Sequence, residues 1–371
     1  MMDRYFYFKL YNNHHELMEN CEIHIFNNVR YTNTLNGLGD ISFSSPTNYL
    51  NTNNIELISG MHIELMLVEG NIEKCIWYGV VVNVTVEGMD KMVVCSGYKE
   101  LLNKRLFTDM LSNIPTAVAK GEEPVLEDTY YDKTYGDLIG KLINRINLIS
   151  PTGITIGKIL DTDLKTTRII NWNDDLGEKI DELITDCGCY FNIDRDRKFN
   201  FYKEYGENKS SYYEINDENL ISTSTFVIDD SSIYNSIYAL NVYTPEGENQ
   251  ATQYLLGTAR DEQSIQIYGL REMELSVNDL REQSSIDQYV QNELAKSSKP
   301  IVNITLEVGI SDEFNIFDIN VGDTINLNSN ELNINTPIRV LEYTVDLNRM
   351  TVNVTVGNTI FRDANYIKYR Y

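Results

Sequence analysis

The chain is short of the residues that most enzyme chemistry relies on. Its 371 residues include 4 histidines, 2 tryptophans, 7 prolines and 5 cysteines. With histidine this scarce, general acid–base catalysis has few candidates. The cysteines (Cys21, Cys75, Cys95, Cys187 and Cys189) are odd in number and make no disulfide framework. No run approaches the roughly 20 apolar residues of a membrane span. The opening Met1–Lys9 lacks a continuous apolar core of signal-peptide length. A chain that folds in a reducing cytoplasm, with no membrane span, is expected. Few prolines and no Ser/Gly-rich tract leave little room for a linker.

Positive charge is also scarce: 31 basic residues stand against 55 acidic ones, a net charge of −24. A protein that grips phosphates needs a basic patch, so binding of nucleic acid by attraction is not expected. Two readings of the acidity remain open. One is solubility by self-repulsion; the other is a surface past which DNA slides without sticking.

Tyrosine is plentiful, 25 against 12 phenylalanines, and suits half-buried pleated surfaces. From Arg4 to Gly97 the pattern is β throughout. Residues alternate in Cys21–Phe26, Asp40–Phe43, His62–Val68, Val80–Val86 and Met92–Cys95, with a tight turn at Gly88-Met89-Asp90. Strands this closely spaced predict a small antiparallel barrel. A short helix, Tyr98–Arg105, leaves it.

The β pattern recurs near the other end. Gly60-Met61-His62-Ile63-Glu64-Leu65 leads into Gly79–Val86, and Gly322-Asp323-Thr324-Ile325-Asn326-Leu327 leads into Arg339–Val345. Strands are expected at Ile301–Val308, Thr324–Leu327, Ile338–Val345 and Thr351–Val356. Between the two β regions lies different material. Residues 121–132 read as an acidic surface connection. Tyr135, Leu138, Ile139, Leu142, Ile143 and Ile146 form one helical face, with Thr134 and Asp137 placed as a capping box. A second helix begins near Asn173 or Asp174 and stops at Gly188. A hairpin follows, Tyr190–Ile193 and Lys198–Tyr202. Ser236–Tyr243 reads as a strand, 245–257 as a loop or short hairpin, Ser264–Glu272 as a strand and 279–297 as a helix ended by Pro300.

Each polar constellation has a plainer reading beside the chemical one. Cys187-Gly188-Cys189 lacks the second pair that zinc spacing needs, so a buried thiol pair at a helix end is expected. His14 and His15 form a loop dipeptide, and His24 alternates in a strand. Asn36-Gly37-Leu38-Gly39 lacks the lysine and helix of a phosphate cradle and reads as a hairpin turn. Asp174, Asp175, Glu178, Asp181 and Glu182 fit glycosidase chemistry or, more simply, a solvated helix face with acids at its positive end. Asn83, Asn303 and Asn353 begin Asn-x-Ser/Thr triplets inside predicted strands and give no evidence of glycosylation. We nominate no catalytic, cofactor-binding or metal-ligating residue and expect no enzyme and no cofactor.

Four passages together resemble the baseplate hub, or tail-tip hub, proteins of long-tailed bacteriophages, which have relatives in contractile injection systems. They are Gly60–Leu65 with Ile76–Val81 and Cys95–Leu102; Leu176–Leu183 running through Gly188–Asp194 to Phe199–Phe201; Asp261–Glu272; and Asn320–Ile325. The resemblance spans nearly the whole chain. It implies a mainly β fold with α+β insertions: two similar antiparallel β-barrel domains of the tube type plus two smaller decorating domains. The boundaries expected are a first barrel at 1–105, an α+β domain with two helices and a hairpin at 106–209, and a second barrel from 210–245 and 300–361. A small inserted domain with a strand and a helix falls at 246–299, and a basic aromatic tail at 362–371. The tail reads either as a clamp on a neighbour or as a frayed terminus. In this frame Tyr268–Glu272 steers the chain back toward the tube domain, with Arg271 and Glu272 as an intersubunit contact.

The function implied is structural. A homotrimeric ring would display six similar barrels, adapt a hexameric tail tube to a threefold tip, and let DNA pass through its bore. The implied partners are the tail tube or distal tail ring, a tip, spike or fibre protein, and a tape measure protein; DNA passes without specific binding. The location is the virion tail tip or baseplate, after assembly in the host cytoplasm. With the sequence ending at Tyr371, no appended peptidase, lysozyme or fibre region is expected. Two other readings stay open: a cell-wall or carbohydrate-active tail protein using helix 174–187, and the spike base of a secretion-type injection machine.

Overall fold

The computed structural model describes residues 4–36, 39–160, 164–229, 231–243, 251–277, 280–332 and 334–357. Part of the Asn36–Gly39 turn, part of the 245–257 connection and the 362–371 tail therefore lie outside the described residues.

The chain divides into two compact units. The first comprises Met1–Glu100, Tyr205–Val227 and the chain from Val302 on; the second comprises Leu101–Glu204 and Ile228–Ile301. In chain order the elements are β1 (Arg4–Tyr11), β2 (Leu17–Ile23), β3 (Asn27–Thr34), β4 (Asp40–Pro46), α1 (Thr47–Thr52), β5 (His62–Glu69), β6 (Ile72–Glu87) and β7 (Asp90–Ser96). Then come α2 (Ile114–Lys120), β8 (Glu127–Thr134), α3 (Tyr135–Ile149), β9 (Thr155–Leu160), β10 (Lys165–Asn171), α4 (Leu176–Cys187), β11 (Tyr190–Ile193) and β12 (Lys198–Tyr202). The chain continues with β13 (Glu214–Asn216), β14 (Leu220–Asp229), β15 (Ser236–Tyr243), β16 (Gln253–Arg260), α5 (Glu262–Tyr268), β17 (Glu272–Ser276) and α6 (Gln283–Ser297). It closes with β18 (Ile301–Gly309), β19 (Thr324–Ser329), β20 (Ile334–Asp346) and β21 (Thr351–Gly357).

The first unit is built on one 13-stranded sheet, whose strand order repeats itself. In the N-terminal half the order is β1-β5-β6-β7-β4-β3; in the C-terminal half it is β13-β19-β20-β21-β18-β14. The match extends to single bonds. Gly60 N–H donates to Val81 O, and Val81 N–H donates to Met61 O, both at 2.8 Å. Gly322 N–H donates to Val340 O at 2.7 Å, and Val340 N–H to Asp323 O at 2.8 Å. Each long strand carries a bulge just after this valine, between Val81 and Asn83 and between Val340 and Glu342. A bulge sharpens local twist, and here it falls where the long strand changes partner. The repeat legible in sequence is thus a repeat of topology. It is not complete, because β1 pairs β5 antiparallel whereas β13 pairs β19 parallel.

Alternating Val, Ile, Leu and Phe side chains from both halves fill one core, in which Phe8, Phe43, Ile63, Leu306, Ile325 and Val354 are fully buried. Phe8 and Phe43 stack with ring centroids 4.0 Å apart. Each such side chain stabilises the fold by about 1.5–3 kcal/mol.

In the second unit α3 buries the face expected from its 3.6-residue period, Leu138, Ile139, Leu142, Ile143 and Ile146. Thr134 Oγ1 caps it by accepting from Asp137 N–H at 3.4 Å. Asp175 caps α4, and Gly188, at φ 65°, ends it. The hairpin of β11 and β12 forms as expected, and β9 adds to it in parallel. A separate three-stranded sheet, β16-β15-β17, carries α6 on one face.

Several expectations are corrected. Ser236–Tyr243, assigned to the second barrel, instead pairs along its length with β16 and β17, because Ile237 and Ala239 find their core under α6. Glu127–Thr134 is a strand rather than a connection. Its acids are tolerated by ion pairs, Lys165 with Asp132 at 2.8 Å and Arg145 with Asp128 at 2.7 Å. Ser264–Tyr268 is helical; the Asp261 cap, accepting from Ser264 N–H at 3.0 Å, outweighs the alternation of Ile265 and Ile267. Of the two readings of 245–257, the hairpin is the one met: Gln253–Gly257 belongs to β16, antiparallel to β15. The strand at Cys21 stops at Ile23, since side chains engage the next backbone groups: Tyr49 accepts from His24 N–H, and Ser45 donates to Ile25 O. After Tyr98 only one 3-10 turn forms, and Lys104 at φ 58° prevents a helix to Arg105. Among the described residues no helix is long and apolar enough to cross a membrane.

Candidate functional site

The sequence candidates land on structural duties. Cys187 and Cys189 are both buried at the end of α4, and burial together with the neighbouring thiol pushes the Cys187 thiol far up. A thiol held neutral is a poor nucleophile and a poor metal ligand. Asp175 Oδ1 accepts from Glu178 N–H at 3.1 Å, and Asp174 accepts from Asn171 N–H at 2.7 Å. Glu182 pairs with Lys179 at 2.9 Å. These acids cap and brace a helix end. Among the described residues no group of three or more His, Cys, Asp or Glu side chains is placed to hold a metal.

Two buried polar clusters escaped the sequence reading. In the first unit His15 and His62, distant in sequence, meet edge to face at 4.8 Å, with Tyr98 beside both. Tyr11 donates to Glu64, 1% exposed, at 2.8 Å. The His62-x-Glu64 spacing on one strand was the available signal, but His15 reaches them only through the turn between β1 and β2. In the second unit Arg168, at the middle of β10, forms an ion pair with Asp186 on α4. Burial pushes the Asp186 carboxyl up to about 6 even against the pull of Arg168. Tyr268–Glu272 is stitched down by buried Asn235, which donates to Gly269 O and accepts from Arg271 N–H, at 2.7 and 2.8 Å. Glu272 accepts from Tyr238 OH at 3.0 Å.

The arrangement with most reach is a strand junction. The two halves of the large sheet join where β20 pairs β3, from Glu342↔Thr34 to Asp346↔Arg30. Thr32 and Thr344 hydroxyls meet at 2.8 Å, Asn33 donates to Tyr343 OH at 2.8 Å, and the rings of Tyr31 and Tyr343 pack edge to face. By the repeat, the counterpart of this stretch of β20 is Asn83–Glu87 of β6, and the counterpart of β3 is β14. Asn83–Glu87 pairs with β7 on one side, and no described strand lies along the other. Nearby apolar side chains stand in solvent: Val86 is 66% and Met89 87% exposed. β14 is the terminal strand at the far end of the sheet. Open edges of this kind are templates for pairing with another chain.

Residues 209–360 match a family model described as prophage endopeptidase tail. That stretch is thus similar to a prophage-tail domain. Solved structures extend the likeness to the whole phage-tail fold. A 43 kDa tail protein of prophage MuSo2 from Shewanella oneidensis is 9% identical with a TM-score of 0.63, covering 95% of this chain and 98% of its own. The prophage tail protein gp18 from Listeria monocytogenes EGD-e is 14% identical with a TM-score of 0.60, covering 98% and 97%. A tail protein from Neisseria meningitidis MC58 is 9% identical with a TM-score of 0.63, covering 95% and 97%. No curated protein matches the sequence. The likeness to phage tail proteins drawn from four sequence passages is therefore met by a family domain and by the fold.

Proposed function

We propose that the chain is a non-enzymatic hub of a phage tail tip or baseplate, closing as a homotrimer into a ring. The observation that carries this is the repeat with one junction made and one left open. Within a chain, the C-terminal half's long strand β20 receives β3 of the N-terminal half. The equivalent partners, β6 at Asn83–Glu87 and β14, are sheet edges and meet if β14 of the next copy pairs with β6. Such head-to-tail pairing is heterologous, and it closes when the rotation permits. Three chains of two similar barrel-like halves present a sixfold outline with threefold stoichiometry. One face then suits a hexameric tube or distal tail ring and the other a threefold tip, spike or fibre, with a tape measure protein as a further neighbour.

The net charge of −24 supports a bore that DNA crosses without adhering. Asp174, Asp175 and Glu182, engaged in caps and ion pairs, give a cell-wall or carbohydrate-active role little to work with. The location proposed is the virion tail, after assembly in the host cytoplasm.

Light scattering and native mass spectrometry of the full chain test this. A trimer is expected, alone or with its tube neighbour. Thr85→Lys with Val86→Lys, on an edge exposed in the monomer, is expected to abolish it while leaving the circular dichroism spectrum unchanged. A stable monomer under all these conditions, or an undiminished trimer in the double variant, overturns the proposal.

A further inference from the structure

The small sheet of the second unit is covered on one face only. Ile237, Ala239, Ala259 and Leu275 pack under Ile286, Val290 and Leu294 of α6. The opposite face pairs Leu240 with Leu256 and Val242 with Tyr254 across β15 and β16. These four side chains are 50, 56, 48 and 70% exposed in that order. On the next strand, Glu272 and Glu274 lie at the same face, in register with Ser236 and Tyr238. The surface is therefore an apolar patch with an acidic border. Polar side chains would have served as well in solvent, so four adjacent large apolar ones point to a partner.

We propose that this face receives the C-terminal segment of a second copy of the chain, residues 362–371. Two properties single it out. The first is charge: in a chain with 55 acidic against 31 basic residues, this segment carries Arg362, Lys368 and Arg370 against one acid, Asp363. Tyr366, Ile367, Tyr369 and Tyr371 are interleaved with those cations. The aromatic and aliphatic side chains fit onto Leu240, Val242, Tyr254 and Leu256, and the long basic side chains reach Glu272 and Glu274 while their stems stay on apolar surface.

The second property is size. Four apolar side chains offer a few hundred Å² at most, below the roughly 800 Å² per partner that a stable face-to-face complex buries. Two such faces packed together would also bring their acidic borders toward one another. A short peptide segment matches both the area and the charge. The chain after Gly357 spans up to roughly 45 Å when extended, so the segment is not confined to the strand end it leaves. The inference draws on the self-association proposed above but not on the β6–β14 junction.

The test uses the full chain with p-benzoylphenylalanine in place of Tyr369, mixed in equal amounts with isotopically heavy chain lacking the probe. Irradiation is expected to join the probe-bearing tail to peptides from 236–243 or 253–260 of the heavy chain. Leu240→Glu with Leu256→Glu in the heavy chain is expected to cut that product by about tenfold, as the loss of one anchoring contact would. Both substituted positions are solvent-exposed, so folding is retained. Cross-links confined to other segments, cross-links only within one chain, or a yield unaffected by the glutamates would each overturn the inference. Repeating the reaction with Thr85→Lys and Val86→Lys separates the two proposals: tail cross-links that survive there stand without the ring.

Discussion

Gly60 and Gly322 hold the same position in the two halves of the large sheet, at φ 90° and 92°. Each donates its N–H to a valine carbonyl of the adjoining long strand, Val81 and Val340. Their surroundings differ. A Cβ at Gly60 would meet nothing within 4 Å, whereas one at Gly322 would sit 2.9 Å from Tyr205 Cδ1. Gly60→Ala is expected to cost about 1–2 kcal/mol of backbone strain. Gly322→Ala adds displacement of Tyr205 and is expected to cost at least about 1 kcal/mol more. Urea unfolding of both variants reads the difference; equal shifts of midpoint would contradict it.

One residue further on, the repeat places Met61 in one half and Asp323 in the other, both buried. The Asp323 carboxylate accepts from Glu207 and Asn320 N–H groups, each at 2.8 Å, and pairs with Lys209 at 2.9 Å. It fastens Tyr205–Tyr213 to the sheet. Asp323→Asn is expected to destabilise by about 3 kcal/mol, because the Lys209 charge loses its partner. Asp323→Met, copying the other half, should be no better, since two amide donors lose their acceptor. Hydrogen exchange at Glu207 would report the loosening directly.

Arg168 and Asp186 supply a pH prediction. The Asp186 carboxyl is raised to about 6 in the fold, chiefly by burial, above the unfolded value of about 3.9. The folded chain thus binds this proton more tightly than the unfolded chain does. Stability from this group is fullest below about pH 4, and it declines as pH rises through about 6 by an amount on the order of 3 kcal/mol. Asp186→Asn should flatten the profile between those limits. At neutral pH it should be the more stable protein, because the neutral amide mimics the protonated carboxyl that this buried site favours. Asp186→Leu with Arg168→Met, which also removes the buried cation, should be no less stable than the parent at that pH. Chemical denaturation across pH 4–8 decides it.

Gly257 lets α6 lie on the small sheet. A Cβ there would fall 2.5 Å from Ile286 Cγ2 and 3.1 Å from Val290 Cγ1. Gly257→Val is expected to cost about 2–3 kcal/mol, and Gly257→Ala less, by forcing the helix outward. Faster amide exchange along α6, with β5 and β6 unchanged, is the expected signature.

Much was legible from local patterns. The 3.6-residue stripe of α3, the Gly188 end of α4 and the alternation in β5, β6, β20 and β21 are properties of neighbouring residues, so the sequence displays them. The errors lay where a capping side chain or a distant partner competes with alternation. Ser264–Tyr268 became a helix through one aspartate, and Ser236–Tyr243 joined a different sheet because α6, some fifty residues on, offered its core.

By itself the amino-acid order established a strand-rich, acidic, histidine-poor chain with one β motif written twice. Folding decided what that duplication means. Backbone hydrogen bonds between Glu342–Asp346 and Arg30–Thr34 join the halves, and the matching edges at Asn83–Glu87 and β14 stay outside any described pairing. Strand pairing carries no side-chain code comparable to hydrophobic period, since every residue offers the same N–H and C=O. Which edges meet and which stay open is therefore a property of the assembled sheet.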